Sequence, residues 1–131
     1  MAGTLSTALN NKLLDHIFKT TSFSVPTNIY VALYSVAPTA AGGGTELTGD
    51  GYARVVMDAW DVSSAGATEN TNAITYAAAS GNDWSEAVAY GLFDAITGGN
   101  FLGWGDLTVS KTVTVGDTAE FAAGALDATI T

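Results

Sequence analysis

Ala87-Val88-Ala89-Tyr90-Gly91-Leu92-Phe93-Asp94 leads through Thr97-Gly98-Gly99-Asn100 into Phe101-Leu102-Gly103-Trp104-Gly105, and this stretch decides the fold. Its two flanks are rich in aromatic and β-branched residues, which fit a pleated, packed surface. The adjacent glycines between them supply the positive φ angles that tight turns need. The stretch therefore predicts a β-hairpin, with one strand over 87–94 and its return over 101–105.

Working outward, Asn28-Ile29-Tyr30-Val31-Ala32-Leu33-Tyr34-Ser35 has the same character and lies between Pro26 and Pro38. Ile29, Val31 and Leu33 point one way and Tyr30, Ala32 and Tyr34 the other. Both faces are apolar, so this strand is expected to be central or covered on both sides. Tyr52–Met57 predicts a further strand, which Asp58–Val62 extends past an irregularity. Ala73–Ala77 predicts a short one, and Ser63–Asn72 a loop. Lys111–Val115 alternates, Gly116-Asp117 turns the chain into Thr118–Ala122, and Ala125–Thr131 reads as a weaker last strand. Ala37–Gly51 holds Pro38, Gly42-Gly43-Gly44, Gly49 and Gly51, the signature of a long mobile loop. Loops of this length are usually functional or ordered by a partner.

On the N-terminal side the period changes. Leu5, Leu9, Leu13 and Ile17 recur at helical spacing, and Leu14 and Phe18 widen the stripe. Thr4 or Ser6 can cap the first turn, and Thr20-Thr21-Ser22 favours an end. The pattern predicts an amphipathic helix over about 5–19 whose stripe packs on the β domain or on a neighbouring copy. The fold class expected is mainly β: an antiparallel β-sandwich or barrel-like domain over about 28–131, with one N-terminal α-helix.

Composition limits what such a domain can do. The 131 residues fit one domain, and 47% apolar residues suffice for a core. Charged residues make up 13%, about half the usual share. The net charge is −9, and the four cations, Lys12, Lys19, Arg54 and Lys111, do not cluster. Binding to phosphate chains or anionic lipid needs several cations together, so neither nucleic acid nor membrane is an expected partner. With no cysteine there is no disulfide and no thiolate metal site. No apolar run approaches the roughly 20 residues of a membrane span. Met1–Asn11 lacks the pattern of a signal peptide, so the expectation is a protein made in the cytoplasm.

The search for chemistry finds no catalytic constellation. His16 is the only histidine, and nothing in the sequence places a nucleophile or carboxylate beside it. Asp58 and Asp61 flank Trp60, but any acidic protein offers such pairs. Asp83, Glu86 and Gly49-Asp50-Gly51 do not follow the spacing of a calcium loop. Trp60, Trp84 and Trp104 could form a sugar platform, though aromatics in a β protein more often serve the core or a protein interface. The glycine-rich stretches lack the Lys and Ser/Thr of a phosphate loop. No enzyme activity, metal or cofactor is expected.

Ser6–His16, Ile29–Tyr34 and Gly51–Val55 resemble, in that order, a family of tailed-bacteriophage virion proteins generally labelled tail fibre proteins. Ala89–Asp94, Gly98–Gly105 and Gly116-Asp117-Thr118 extend the resemblance over nearly the whole chain. The resemblance implies a structural virion protein with no catalytic residues. In size and architecture the chain also resembles capsid decoration (cement) proteins, because it carries no fibre shaft. That likeness implies a homotrimer on the outer capsid surface, bound to the major capsid protein and to copies of itself. Decoration is the first expectation, a tail or fibre-associated protein the second, and a glycan- or receptor-binding module the third. The residues expected at a protein interface are Gly42, Gly43, Gly44, Leu47 and Tyr52 of the loop, with Leu5 and Leu9 of the helix.

Overall fold

The computed structural model describes residues 1–130. The chain is mainly β, with one helix and predominantly antiparallel pairing. The central hairpin joins β7 (Ala87–Phe93) to β8 (Phe101–Lys111). Its turn lies where the glycines predict: Gly98 and Gly99 have φ of 59° and 77°. A Cβ on Gly99 would sit 2.6 Å from Asp94 Oδ1, so no other residue fits there without a shift. Asp94 closes the turn, its two carboxylate oxygens accepting from the backbone N–H and side-chain amide of Asn100 at 2.6 and 2.7 Å. These bonds hold the Asp94 carboxyl below its ordinary pKa.

The main sheet runs β3-β2-β7-β8-β1-β10-β5, with β4 also paired to β2. β2 (Tyr30–Val36) lies between β7 on one edge and β3 (Thr45–Glu46) and β4 (Val55–Val56) on the other. It is central, as its two apolar faces predict. Val31 and Leu33 join the main core, while Ala32 and Tyr34 pack with Ala89 and Phe93 on the opposite face. Past β8 comes β1 (Thr4–Leu5), antiparallel to β8 and parallel to β10 (Asp127–Thr129); β5 (Ala67–Glu69) follows. A small second sheet, β6 (Ile74–Thr75) with β9 (Glu120–Phe121), supplies the opposing layer. Ile74, Tyr76, Trp84, Val113, Phe121 and Leu126 thus meet Leu33, Tyr90, Leu92 and Leu102 in one core.

Several expectations shift in detail. Leu5 belongs to β1, and helix α1 spans Thr7–Phe18. Ser6 caps it, accepting from Leu9 N–H at 3.1 Å while its own hydroxyl donates to Phe101 O. Of the strand expected over 52–57 only Val55–Val56 pairs regularly. Asp58–Val62 makes no regular strand; its Trp60 bridges to Asn70. The loop expected over 63–72 contains β5, because Ala65-Gly66 turns the chain back on itself. The expected strand pair 111–115 and 118–122 does not form a hairpin. Both runs instead lie along residues 75–84, through Trp84 N–H to Val113 O, Gly116 N–H to Ala79 O and Tyr76 N–H to Ala119 O. The terminal strand expected to Thr131 is observed to Thr129, and Thr131 lies outside the described residues.

Asn70 ties the C-terminal segment down. It is fully buried; its amide donates to Asn72 O and Ala122 O, and its side-chain oxygen accepts from Leu126 N–H. Every polar atom of that side chain is used, which is what its burial requires.

Candidate protein-interaction surfaces

The loop expected to be mobile is built into the domain. Thr39 and Gly42 exchange backbone hydrogen bonds at 2.9 and 3.0 Å, closing a tight turn. Gly44 takes φ 76°, and a Cβ there would come within 2.5 Å of Val36 O. The glycines let the chain double back onto β2 as β3. Ala40 O accepts from Thr7 N–H, so the same loop holds the start of α1. Of the residues expected at an interface, Gly43 and Gly44 are exposed and Gly42 is half-buried. Leu47 is buried in the main core, and Tyr52 packs against it. Leu5 is half-buried in β1, and Leu9 packs on the core from the helix. Five of the seven residues, all but Gly43 and Gly44, are thus engaged within the fold or partly covered by it.

Beside this loop lies a cluster that the sequence pattern did not point to. Arg54 is buried, and its Nε and Nη2 donate to the two Glu46 carboxylate oxygens at 2.8 and 2.7 Å. Its Nη1 donates to Ala95 O and Gly98 O in the hairpin turn. The guanidinium carbon stands 3.6 Å from the centre of the Phe93 ring, a cation–π distance. Tyr52 donates its hydroxyl to Glu46 and accepts from Leu33 N–H at 2.9 Å. The Glu46 bond holds the Arg54 guanidinium protonated, and burial raises Tyr52 well above an ordinary phenol. A lone arginine between Tyr52 and two valines was the available signal. The cluster fastens three segments to one another; every strong donor in it already has a partner.

Helix α1 behaves differently. None of its residues is buried. Leu14 is 53% exposed, Ile17 66% and Phe18 76%. The expected stripe of Leu5, Leu9, Leu13 and Ile17 therefore divides. Leu9 packs on the core, Leu13 is half-buried, and Ile17 faces water with Leu14 and Phe18. Three apolar side chains at i, i+3 and i+4 form one surface.

A second apolar surface opens at the far end of β8. Ala89 pairs with Asp106 and Ala87 with Lys111, so Val88 alone stands opposite the four residues Leu107–Ser110. The four bulge outward, leaving Val109 78% exposed. Beneath them runs an open groove of about 390 Å³ lined by Met1, Leu107, Val109, Val113, Phe121 and Ala125.

The candidates for chemistry stay apart. His16 lies on the exposed side of α1, its Nδ1 3.1 Å from Thr21 O. Asp58 accepts from Ile29 N–H, and Asp61 is exposed. Asp83 accepts from Val115 N–H, Glu86 from the Ser110 hydroxyl, and Asp50 from the Asn82 amide. Trp84 is in the core, edge-on to Tyr52 and Tyr76, and its indole donates to Asp50 O. Trp60 is half-buried and donates to Met57 O; Trp104 is half-buried on β8. The three indoles make no common exposed platform.

A family model described as Podophage GP4 fiber I protein gp80 matches residues 4–129. The chain belongs to that family. The match runs from β1 to the end of β10, so it takes in the helix, the hairpin and both apolar surfaces. The gp80 family is one of phage fibre-type structural proteins, which agrees with the resemblance carried by the sequence. A comparison with curated proteins found no match.

Proposed function

We propose that this gp80-family chain is a non-enzymatic structural module on the outside of a phage particle, and that it works by holding other proteins. The observation that carries the reading is the exposed face of Leu14, Ile17 and Phe18. The core below is complete without them, and a contiguous apolar surface of this kind usually marks an interaction site. The described buried side chains use their polar groups within the fold, apart from the Trp104 indole N–H. That is the pattern of a scaffold rather than of a reactive centre.

The family description names a fibre protein, and on that support the fibre apparatus is proposed first and decoration second. A 12-residue helix spans about 18 Å, and an 11-residue strand at most about 37 Å. The chain is therefore proposed as a compact fibre-associated part rather than a shaft. The second reading is the decoration protein on the outer capsid surface, bound to the major capsid protein. It is favoured by the same compactness. In either position copies of the chain itself are proposed as partners, in a homotrimer.

Densitometry of purified particles, with gold labelling of the chain, tests the location. Labelling at the tail in few copies is expected. Abundance comparable to the major capsid protein, with label over the shell, would replace the fibre position by decoration. Absence from purified particles would overturn both.

A further inference from the structure

We infer that residues 8–27, helix α1 with the segment that follows it, form a strap that opens from the β domain as one unit, hinged at Ser6 and Ile29, while the sheets stay folded. Both hinge points are fixed. Ser6 is buried; its N–H donates to Leu102 O and its hydroxyl to Phe101 O. Beside it, Thr7 N–H reaches Ala40 O. At the other end Ile29 N–H donates to Asp58, Ile29 O accepts from Met57 N–H, and the side chain packs on the core. Between these anchors the chain is tied only to itself. Among the described residues, no hydrogen bond joins residues 8–27 to the chain before Ser6 or after Asn28.

Packing adds little to hold the strap down. No residue from Thr7 to Ile29 is buried. Leu9 packs on the core, and Leu13 and Phe23 are half-buried. Two clefts, of about 140 and 630 Å³, lie between the strap and the hairpin turn, with Lys12, Phe23 and Pro26 on one side and Asp94 and Asn100 on the other. Side chains that line such gaps forfeit the dispersion contacts of a close-packed core. The Lys12 charge helps to hold the Asp94 carboxyl below its ordinary pKa, yet a surface pair of this kind adds little to stability.

The strap also stores strain. Thr20 has φ 54°, a left-handed conformation that is an outlier for a β-branched residue. Opening releases it. The helix does not hold itself together either. Seven of its twelve residues are Thr, Asn, Asp, His, Ile or Phe, which rank low in helix propensity. Twelve residues are also too few for a stable free helix in water. Once off the body the helix melts, and its amides meet solvent. Strands β2 and β7 are the opposite case, paired on both edges and largely buried. Local opening draws on segments with few buried contacts, and the strap is such a segment. A protein gripping Leu14, Ile17 and Phe18 would hold a hinged part rather than the rigid body. That consequence rests on the protein-holding role proposed above; the opening itself does not.

Hydrogen exchange of the whole chain at neutral pH, read by mass spectrometry, tests the opening. Amides of residues 11–18 are expected to exchange about a hundredfold faster than those of 31–35 and 88–92, yet at least about tenfold slower than in a free chain. Two variants, their strands checked by circular dichroism, move the opening in opposite directions. Leu9→Ala removes the helix side chain that packs on the core. It is expected to speed exchange at 11–18 about tenfold and to leave the strands unchanged. Thr20→Gly removes the strain and is expected to slow exchange at 11–18 severalfold. Exchange of 11–18 in step with the strands would overturn the inference, and so would exchange at the free-chain rate. A Leu9→Ala variant that speeds helix and strands alike would overturn it too, as would a helix that responds to neither variant. The measurement needs no partner and no particle, so the opening fails or stands apart from the location that gold labelling reads.

Discussion

Strand β2 and helix α1 are neighbours in sequence, and each carries five large apolar or aromatic side chains: Tyr30, Val31, Leu33, Tyr34 and Val36 in the strand, and Leu9, Leu13, Leu14, Ile17 and Phe18 in the helix. In β2 three of the five are buried, with Leu33 2% exposed. In α1 none is. The difference follows from what surrounds each element. β2 has strands on both edges, the β6–β9 layer below one face and Phe93 with Arg54 over the other. The helix touches the domain along one side, near the start of β8, and projects from there. An apolar period therefore identifies a surface that needs cover; it does not say whether the same chain provides the cover. In α1 the uncovered part is the part available to a partner.

The largest effect that sharpens the contrast is expected in the strand. Leu33→Ala removes a fully packed side chain from the main core and should lower unfolding stability by about 2–5 kcal/mol. Chemical denaturation measures it. A loss under 1 kcal/mol would mean that the layer over β2 is loose, and that strand and helix differ less than their exposures indicate.

The sequence carried the central parts of this fold because those parts obey local rules. The hairpin at Thr97–Asn100 was legible from its adjacent glycines, β7 from its apolar run, and the central position of β2 from its two apolar faces. The short strands were not. β1, β3 and β5 have two or three residues each, too few to show a period. They are strands because of what lies beside them: Thr4 opposite Trp104, Tyr34 opposite Glu46, Asp127 opposite Glu69. The run at 111–122 alternates as a hairpin does, yet the partner it finds is the 75–84 segment, a pairing that no local pattern encodes. For the candidate site the outcome is mixed in the same way. Leu5 and Leu9 were expected on one helical stripe at an interface; Leu5 instead lies in β1, and Leu9 packs on the core from the helix. Gly42–Gly44 were read as a loop waiting for a partner, whereas their positive φ angles fold the loop onto β2. The uncovered stripe could not be separated from the covered one, because both belong to a single helical period.

A second, intermediate effect concerns pH. Burial raises the hydroxyls of Tyr34, Tyr52, Tyr76 and Tyr90 above the ordinary phenol value of 10.0. A folded-state pKa above the unfolded one makes a contribution that is complete below about pH 10 and is lost as pH rises from there towards the folded values. Ionising Tyr52 would also set a phenolate against Glu46, to which the hydroxyl now donates, and would put charge beside Leu33 in the best-covered strand. Stability should therefore be level from neutral pH to about 10 and fall above it. Absorbance at the tyrosinate band should rise together with loss of the β signal. Early, independent ionisation of Tyr34, Tyr52, Tyr76 and Tyr90 with the fold intact would show that the core admits water.

The smallest effect is expected in the helix, and it separates stability from assembly. Phe18→Ser removes the most exposed aromatic side chain of α1. No core contact is lost, so the melting of the isolated chain should change by no more than about 0.5 kcal/mol. Leu13→Ala, half-buried on the same helix, should cost about 1 kcal/mol, less than the 2–5 kcal/mol of a buried leucine. If instead the stripe were held against the domain, Phe18→Ser would lower stability as Leu33→Ala does, and the contrast between strand and helix would vanish. The sharper reading comes from measuring both properties on one variant. Phe18→Ser should melt like the parent at low concentration, where the chain is alone. If copies associate as proposed, it should lose the rise in stability that association would give at high concentration, since whatever binds the folded state stabilises it by mass action. A parent whose melting does not depend on concentration would leave the exposed stripe to a different protein on the particle.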